Sequence, residues 1–129
     1  AIHGARGYSA ATLGGRRTEA LSALQETRVS PHLPGVRLPL ELSFNANLAE
    51  AMLAADDIIL ATPSDAFTMM LTAMKPYLTN KHTVICASKG LDAQTGRFLH
   101  EVFEQYCPRI TYGILSGPSF ALEVAEGLP

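Results

Sequence analysis

The chain has 129 residues, a length at which a single hydrophobic core is the usual arrangement. Charged residues make up only 17% of the chain and apolar residues 47%, which excludes a mainly disordered protein. The formal net charge of −2 excludes the broad basic surface of a nucleic-acid binder, and no apolar run or signal-peptide pattern indicates membrane insertion or export, so we expect a cytoplasmic protein.

Short apolar strands alternate with amphipathic helices along the chain. Residues 1–6 are expected to be the last turns of a helix. The predicted strands that follow are residues 8–13, 42–44, 58–62, 83–87 and 110–115. The predicted helices are residues 18–29, 47–55, 63–76 and 95–106, with a final helix that begins at the turn 116–120, and a proline-rich loop at 31–39. This alternation predicts parallel βαβ units in an open, doubly wound α/β sheet.

Two features of the sequence describe its predicted core. The runs at 58–62, 83–87 and 110–115 are apolar throughout, which is typical of strands covered on both faces. Helical spacing predicts two buried stripes, one of Phe67, Met70, Leu71 and Met74 and one of Phe98, Leu99, Val102 and Phe103. We expect Cys86 and Cys107 to be buried thiols. The four histidines stand alone and are assigned no role, and no ligand spacing indicates a metal site.

Ligands of such sheets bind at the carboxyl ends of the strands, so the strand-to-helix junctions are the places to search. At Ser88-Lys89-Gly90 a lysine follows an apolar strand and precedes a glycine that allows a ligand to approach closely. The alternative is an ordinary exposed lysine. The junction at 61–64 is interpreted as a tight turn with Ser64 as the N-cap of the next helix, which needs no ligand.

Two further junctions carry candidate residues. In the turn at 116–121, Gly117 admits a ligand and Ser119 adds a hydroxyl near free helix N–H groups, which favour anions. The alternative is an ordinary capped turn. After the first strand, Arg16 favours a 2′-phosphate, and therefore NADP, if the chain binds a dinucleotide. The alternative is a solvated arginine.

Five segments together resemble the bacterial NAD(P)-dependent glycerol-3-phosphate dehydrogenases, in the same order and at the same spacing. They are His-Leu-Pro-Gly-Val-Arg-Leu-Pro at 32–39, Ser-Lys-Gly-Leu at 88–91, Thr-Gly-Arg at 95–97, the segment from Leu115 to Glu123 and Gly-Leu-Pro at 127–129. The resemblance implies a mostly parallel Rossmann-type sheet. It also implies reversible reduction of dihydroxyacetone phosphate to sn-glycerol 3-phosphate with NADH or NADPH, which supplies glycerophospholipid synthesis.

The resemblance also implies roles for particular residues. Lys89 is expected to contact both substrate and cofactor, Gly117 and Ser119 to contact the substrate, and Arg16 and Ala121 to contact the cofactor. No catalytic residue is expected within the chain, because the family's proton-donating lysine falls beyond Pro129. Gly14 stands where the family commonly has Trp, which departs from its pattern beside the cofactor.

The resemblance further implies that residues 1–129 are part of an N-terminal dinucleotide-binding domain. In the family, a first strand and a glycine-rich turn precede the position of Ala1, and a helical domain follows Pro129. We therefore expect the isolated residues to bind dinucleotide weakly without turnover, and the full-length protein to be a homodimer. Two alternatives remain: another Rossmann-superfamily dehydrogenase acting on a hydroxyacid or sugar acid, and a non-catalytic nucleotide-binding module.

Overall fold

The computed structural model describes residues 11–15, 17–117 and 123, in which short strands alternate with helices. The strands are β1 (Ala11–Gly14), β2 (Leu42–Asn45), β3 (Asp57–Leu60), β4 (Thr83–Cys86) and β5 (Thr111–Ile114). The helices are α1 (Thr18–Thr27), α2 (Leu48–Leu53), α3 (Phe67–Met74) and α4 (Leu99–Tyr106), with 3₁₀ turns at Ser64–Ala66 and Lys75–Tyr77. The helix predicted at 1–6 lies outside the described residues, as does nearly all of the final one.

All five strands pair in parallel, which confirms the predicted α/β class. β1 pairs with β2, and β3, β4 and β5 form a second sheet in that order. The sheets belong to two compact units, one with the described residues up to Ala51 and from Gly117 on, the other Met52–Ser116.

In the first unit, α1 ends two residues before the predicted position because Arg28 adopts a left-handed conformation with φ 56°. The Arg28 guanidinium then donates to the carbonyl oxygens of Pro39 at 3.0 Å and Leu42 at 2.7 Å. It also lies 4.9 Å from the ring centroid of Phe44, at cation–π distance. One side chain therefore fastens the end of the proline-rich loop to β2.

In the second unit, α3 and α4 contact each other and cover one face of the sheet. The ring of Phe103 on α4 stacks on Tyr112 of β5 with centroids 4.1 Å apart. The buried apolar side chains of this unit are Met52, Leu60, Phe67, Leu71, Met74, Val84, Cys86, Leu99, Val102, Phe103 and Cys107. The predicted stripes are confirmed at six positions, and both cysteines are buried thiols.

The predicted stripe of α4 is wrong at Phe98, whose side chain is 58% exposed. The helix begins at Leu99 rather than at residue 95, so Phe98 precedes it and forms an antiparallel bridge with Leu91. Met70 of α3 is only partly buried. Apolar spacing thus located the helix but placed its start one turn too early.

Burial of the strands on both faces is also wrong in this structure. Successive side chains of a strand point to opposite faces, so Ile59 faces away from its buried neighbour Leu60. Its side chain is 56% exposed. Within the described part of the chain, α3 and α4 cover one face of this sheet and leave Ile59 on the other.

His82 connects the segment before β4 to the end of α2. Its side chain is 1% exposed, and its Nδ1 accepts the backbone N–H of Thr79 at 2.9 Å. Because Nδ1 is an acceptor, Nε2 carries the proton and donates to the carbonyl oxygen of Met52 at 3.0 Å. The structure therefore gives a role in the fold to a histidine for which the sequence suggested none.

The bonded ring of His82 predicts a large stability difference between two histidine variants. We expect His82→Ala to lower the free energy of unfolding by roughly 2–4 kcal/mol, because a cavity forms and two buried backbone groups lose their partner. His32→Ala, at an exposed position, should change it by less than about 0.5 kcal/mol. Urea denaturation of the purified protein measures both, and equal effects would contradict the role of His82.

Candidate functional site

The carboxyl ends of β3, β4 and β5 lie side by side in the second unit. Leu60, Cys86 and Ile114 are register partners at the last position of each strand. The ladder continues for one residue, with the Ala87 N–H donating to the Leu60 carbonyl at 2.9 Å. The N–H of Leu115 likewise donates to Cys86 at 2.8 Å. The three following loops therefore leave one edge of the sheet, where parallel α/β proteins bind their ligands.

Ser88 joins two of these loops. Its hydroxyl donates to the Leu60 carbonyl at 3.3 Å and accepts the backbone N–H of Thr62 at 3.1 Å. Both partners belong to the end of β3 and the turn after it, whereas Ser88 follows β4. The hydroxyl thus continues the cross-strand pairing beyond the point where the backbone ladder ends.

Lys89 follows Ser88 and is exposed at this edge. The next residue, Gly90, has φ +102°, a conformation that residues with a side chain rarely adopt. A Cβ at this position would lie 3.6 Å from the Ser64 hydroxyl oxygen, so the backbone passes close to the neighbouring turn. Lys89 therefore lies between Ser88, whose hydroxyl is hydrogen-bonded, and Gly90, whose positive φ favours glycine.

The turn after β3 differs from the sequence interpretation. Ser64 begins a 3₁₀ turn, and neither this turn nor α3 has a side-chain cap, so Ser64 is not the predicted N-cap. The Thr62 hydroxyl is buried and has no hydrogen-bond partner among the described residues. Buried hydroxyls usually have partners, so this unpaired atom is an exception, and it lies at a turn for which no ligand was predicted.

Asp92 is a second residue near this edge to which sequence reasoning assigned no role. Its side chain is 3% exposed and accepts three hydrogen bonds. The donors are the Thr68 hydroxyl at 2.9 Å, the Thr95 N–H at 2.9 Å and the Thr95 hydroxyl at 2.7 Å. The bond from the Thr95 hydroxyl is the main reason that the pKa of this carboxyl lies below its ordinary value.

The remaining predicted site residues fall elsewhere. Gly117, three residues beyond the end of β5, has φ +150° and belongs to the first unit. Arg16, Ser119 and Ala121 lie outside the described residues. The structure thus brings Lys89 together with Ser88, Gly90 and the turn after β3, and the other predicted contacts stay predictions.

In the part of the chain that the structure describes, neither a cluster of metal ligands nor a membrane-spanning helix is present. No group of three or more His, Cys, Asp or Glu side chains there is arranged to hold a metal ion. None of the described helices has the length and apolar character needed to cross a membrane.

Comparison with known proteins gives matches over the whole chain. The family model described as NAD-dependent glycerol-3-phosphate dehydrogenase N-terminus matches residues 1–129. Glycerol-3-phosphate dehydrogenase [NAD(P)+] of Bartonella tribocorum and that of Haemophilus influenzae strain Rd are each 40% identical to the chain over 131 aligned positions. The chain is covered completely in both alignments but spans only 39% of the length of either relative.

Solved structures give the same result. The crystal structure of glycerol-3-phosphate dehydrogenase from Coxiella burnetii matches 99% of the chain with a TM-score of 0.89 and 31% identity, over 39% of its own length. The yeast glycerol-3-phosphate dehydrogenase matches 91% of the chain with a TM-score of 0.74, over 35% of its own length. Its identity of 22% supports the fold alone.

The three bonds to Asp92 predict how stability depends on pH. The pKa of the folded carboxyl is below its ordinary value of 3.8, so its contribution to stability is complete above that pH. It is lost as the pH falls through the lower pKa of the folded protein. We expect Asp92→Asn to be less stable than wild type at neutral pH, and the difference to shrink below pH 3.8.

Urea denaturation of both proteins over a pH series measures this difference. Asp65→Asn, at an exposed position, is the matched control and should change the free energy of unfolding by less than about 0.5 kcal/mol at neutral pH. A difference between wild type and Asp92→Asn that stays constant down to the acid limit would contradict the role of the ionised carboxylate.

Proposed function

Because the chain belongs to the NAD-dependent glycerol-3-phosphate dehydrogenase N-terminal family, we propose that its protein interconverts dihydroxyacetone phosphate and sn-glycerol 3-phosphate with NADH or NADPH. The observation that carries the proposal is the family match over residues 1–129, with Lys89 at the carboxyl edge of three parallel strands. We further propose that residues 1–129 are part of its N-terminal dinucleotide-binding domain. In this proposal the enzyme is cytoplasmic and homodimeric, and its product supplies glycerophospholipid synthesis.

The described residues fit a dinucleotide cofactor. The buried Thr62 hydroxyl lacks a partner among them, and the Gly90 backbone at the same edge leaves room where a side chain would be strained. We propose that Arg16, Lys89 and Ala121 hold the cofactor. When bound, the nicotinamide supplies the hydride to the substrate carbonyl carbon or accepts it in the reverse direction.

Lys89 is proposed to bind the substrate and to stabilise charge. Negative charge develops on the carbonyl oxygen during reduction, and a fixed ammonium group beside that oxygen lowers the barrier. The Ser88 hydroxyl bonds on one side of Lys89 and the positive φ of Gly90 shapes the backbone on the other, and we propose that together they direct Lys89 toward the substrate. Gly117 and Ser119 are proposed as further substrate contacts, and the proton is assigned to a lysine beyond Pro129.

Removing the Lys89 ammonium tests this role. In the full-length enzyme we expect Lys89→Ala to lower kcat/KM for dihydroxyacetone phosphate at least tenfold, or about 1.4 kcal/mol of transition-state binding. The matched control is Lys75→Ala, because Lys75 follows the far end of α3 and its ammonium lies 5.9 Å from the Tyr106 ring centroid. Steady-state oxidation of NADH or NADPH measures both, and unchanged kinetics for Lys89→Ala would refute the role.

Reversing the charge of Arg16 tests the proposed preference for NADPH. An arginine paired with the 2′-phosphate makes charge-assisted hydrogen bonds that NADH cannot make. We expect Arg16→Asp to lower the NADPH to NADH ratio of kcat/KM by roughly tenfold, the effect of about 1.4 kcal/mol. Arg109→Asp makes the same charge change before β5 and should leave the ratio unaltered. If Arg16→Asp leaves the NADPH to NADH ratio of kcat/KM unchanged, Arg16 does not bind the 2′-phosphate.

A further inference from the structure

The segment between β4 and α4, residues 87–98, carries Lys89 and is called the Lys89 loop below. We propose that Asp92 and Thr68 form a positioning pair that fixes this loop, and with it the Lys89 ammonium, against α3. The inference rests on the proposed function, because it assigns the pair a role in the reaction that acts through Lys89.

The two carboxylate oxygens of Asp92 make bonds of different kinds. Oδ2 accepts the N–H and the hydroxyl of Thr95, at 2.9 and 2.7 Å, and so closes a turn inside the loop. Oδ1 accepts the hydroxyl of Thr68 at 2.9 Å and so ties that turn to α3. One side chain therefore sets both the shape of the loop and its position on the neighbouring helix.

Backbone bonds complete the turn. The N–H of Asp92 donates to the Arg97 carbonyl at 2.9 Å, and the N–H of Gly96 donates to the Asp92 carbonyl at 2.8 Å. Gly96 has φ +67°, which allows the chain to reverse there, and Leu91 forms an antiparallel bridge with Phe98. The end of the loop is therefore a closed ribbon that begins two residues after Lys89.

Lys89 lies on a short span between two anchored points. On one side, Ser88 is bonded to the end of β3, and on the other, Asp92 is bonded to α3. Consecutive Cα atoms are about 3.8 Å apart, so a displacement of Asp92 has few rotatable bonds over which to relax before it reaches Lys89. The position of the ammonium therefore depends on Asp92.

Thr68, the hydrogen-bond partner of Asp92 on α3, lies on a firmly packed part of that helix. Thr68 lies between Phe67 and Leu71, whose side chains are fully buried in the core of the unit. A buried carboxylate is costly to desolvate unless it is fully bonded, and apolar residues often stabilise a core as well as a buried charge does. We therefore attribute the pairing of the Asp92 carboxylate with the Thr68 hydroxyl to the placement of the Lys89 loop.

The test is a double-mutant cycle in the full-length enzyme with Thr68→Val, which keeps the shape of the side chain and removes its hydrogen bond. We expect Thr68→Val to lower kcat/KM for dihydroxyacetone phosphate roughly three- to tenfold, because a small displacement of a charged group weakens its action at the reacting atoms. In a Lys89→Ala background the same change should cost less than about twofold, because the group being positioned is gone.

Thr72→Val is the matched control on the same helix. Thr72 is exposed, and its hydroxyl donates only to the Thr68 backbone carbonyl of its own helix, at 2.9 Å. It should leave kcat/KM unchanged in both backgrounds. A loss caused by Thr68→Val that is equal in both backgrounds would indicate a general structural effect and overturn the proposal, as would the absence of any loss in the wild-type background.

Hydrogen exchange gives a readout that does not depend on turnover. We expect Thr68→Val to speed exchange of the Asp92, Thr95 and Gly96 amides at least tenfold, with no change in β2, and Thr72→Val to change neither. Unchanged exchange in the loop would overturn the positioning pair whatever the enzyme acts on. If wild type does not turn over dihydroxyacetone phosphate, the proposed function fails, and if Lys89→Ala is fully active, the proposed role of Lys89 fails. In either case exchange still decides whether the pair fixes the loop.

Discussion

The hydroxyl of Ser88 is the contact on which the candidate site depends. Parallel pairing aligns the ends of β3 and β4, but it does not determine where the chain goes after each strand has ended. The Ser88 hydroxyl bonds to the Leu60 carbonyl and the Thr62 N–H. It therefore joins the loop after β4 to the loop after β3, just past the last backbone hydrogen bond between the strands. Lys89 is the next residue, so the position of its backbone is fixed relative to both strands. An electrostatic role for the Lys89 ammonium needs a fixed backbone, because the interaction energy of a charge falls as its distance from the reacting atoms increases.

The polar groups buried in this unit differ in how fully they are bonded. His82 and Asp92 have hydrogen-bond partners for their buried side-chain atoms, as expected for groups that are costly to desolvate. The Thr62 hydroxyl, at the carboxyl edge, has none among the described residues. The Tyr112 hydroxyl on β5 likewise has no partner among the described residues, so the unpaired groups are not confined to the carboxyl edge.

Apolar spacing predicted the order of the elements and most of the core, because burial of a helix face or a strand depends on residues close in sequence. It failed where a hydrogen bond between distant residues competes with that pattern. α4 begins at Leu99 because Asp92 holds the Thr95 N–H in a turn, and no local signal showed that Thr68, 24 residues away, would complete it. α1 ends before Arg28 because that residue adopts a left-handed backbone conformation, which arginine does not favour. Lys89, Arg16 and Ser119 were found because each follows a predicted strand, whereas Ala121 rests on resemblance alone.

The bridge between Leu91 and Phe98 separates the Lys89 loop into two parts with different freedom to vary in evolution. Ala93 and Gln94 are exposed at the tip of the turn, so changes in their type can be absorbed there. Residues 88–92 lie between the anchored points, where an insertion would move the ammonium directly. Substitutions compatible with function are therefore expected at Ala93 and Gln94, whereas the spacing from Asp92 to Thr95 must be kept for both bonds to Asp92 Oδ2.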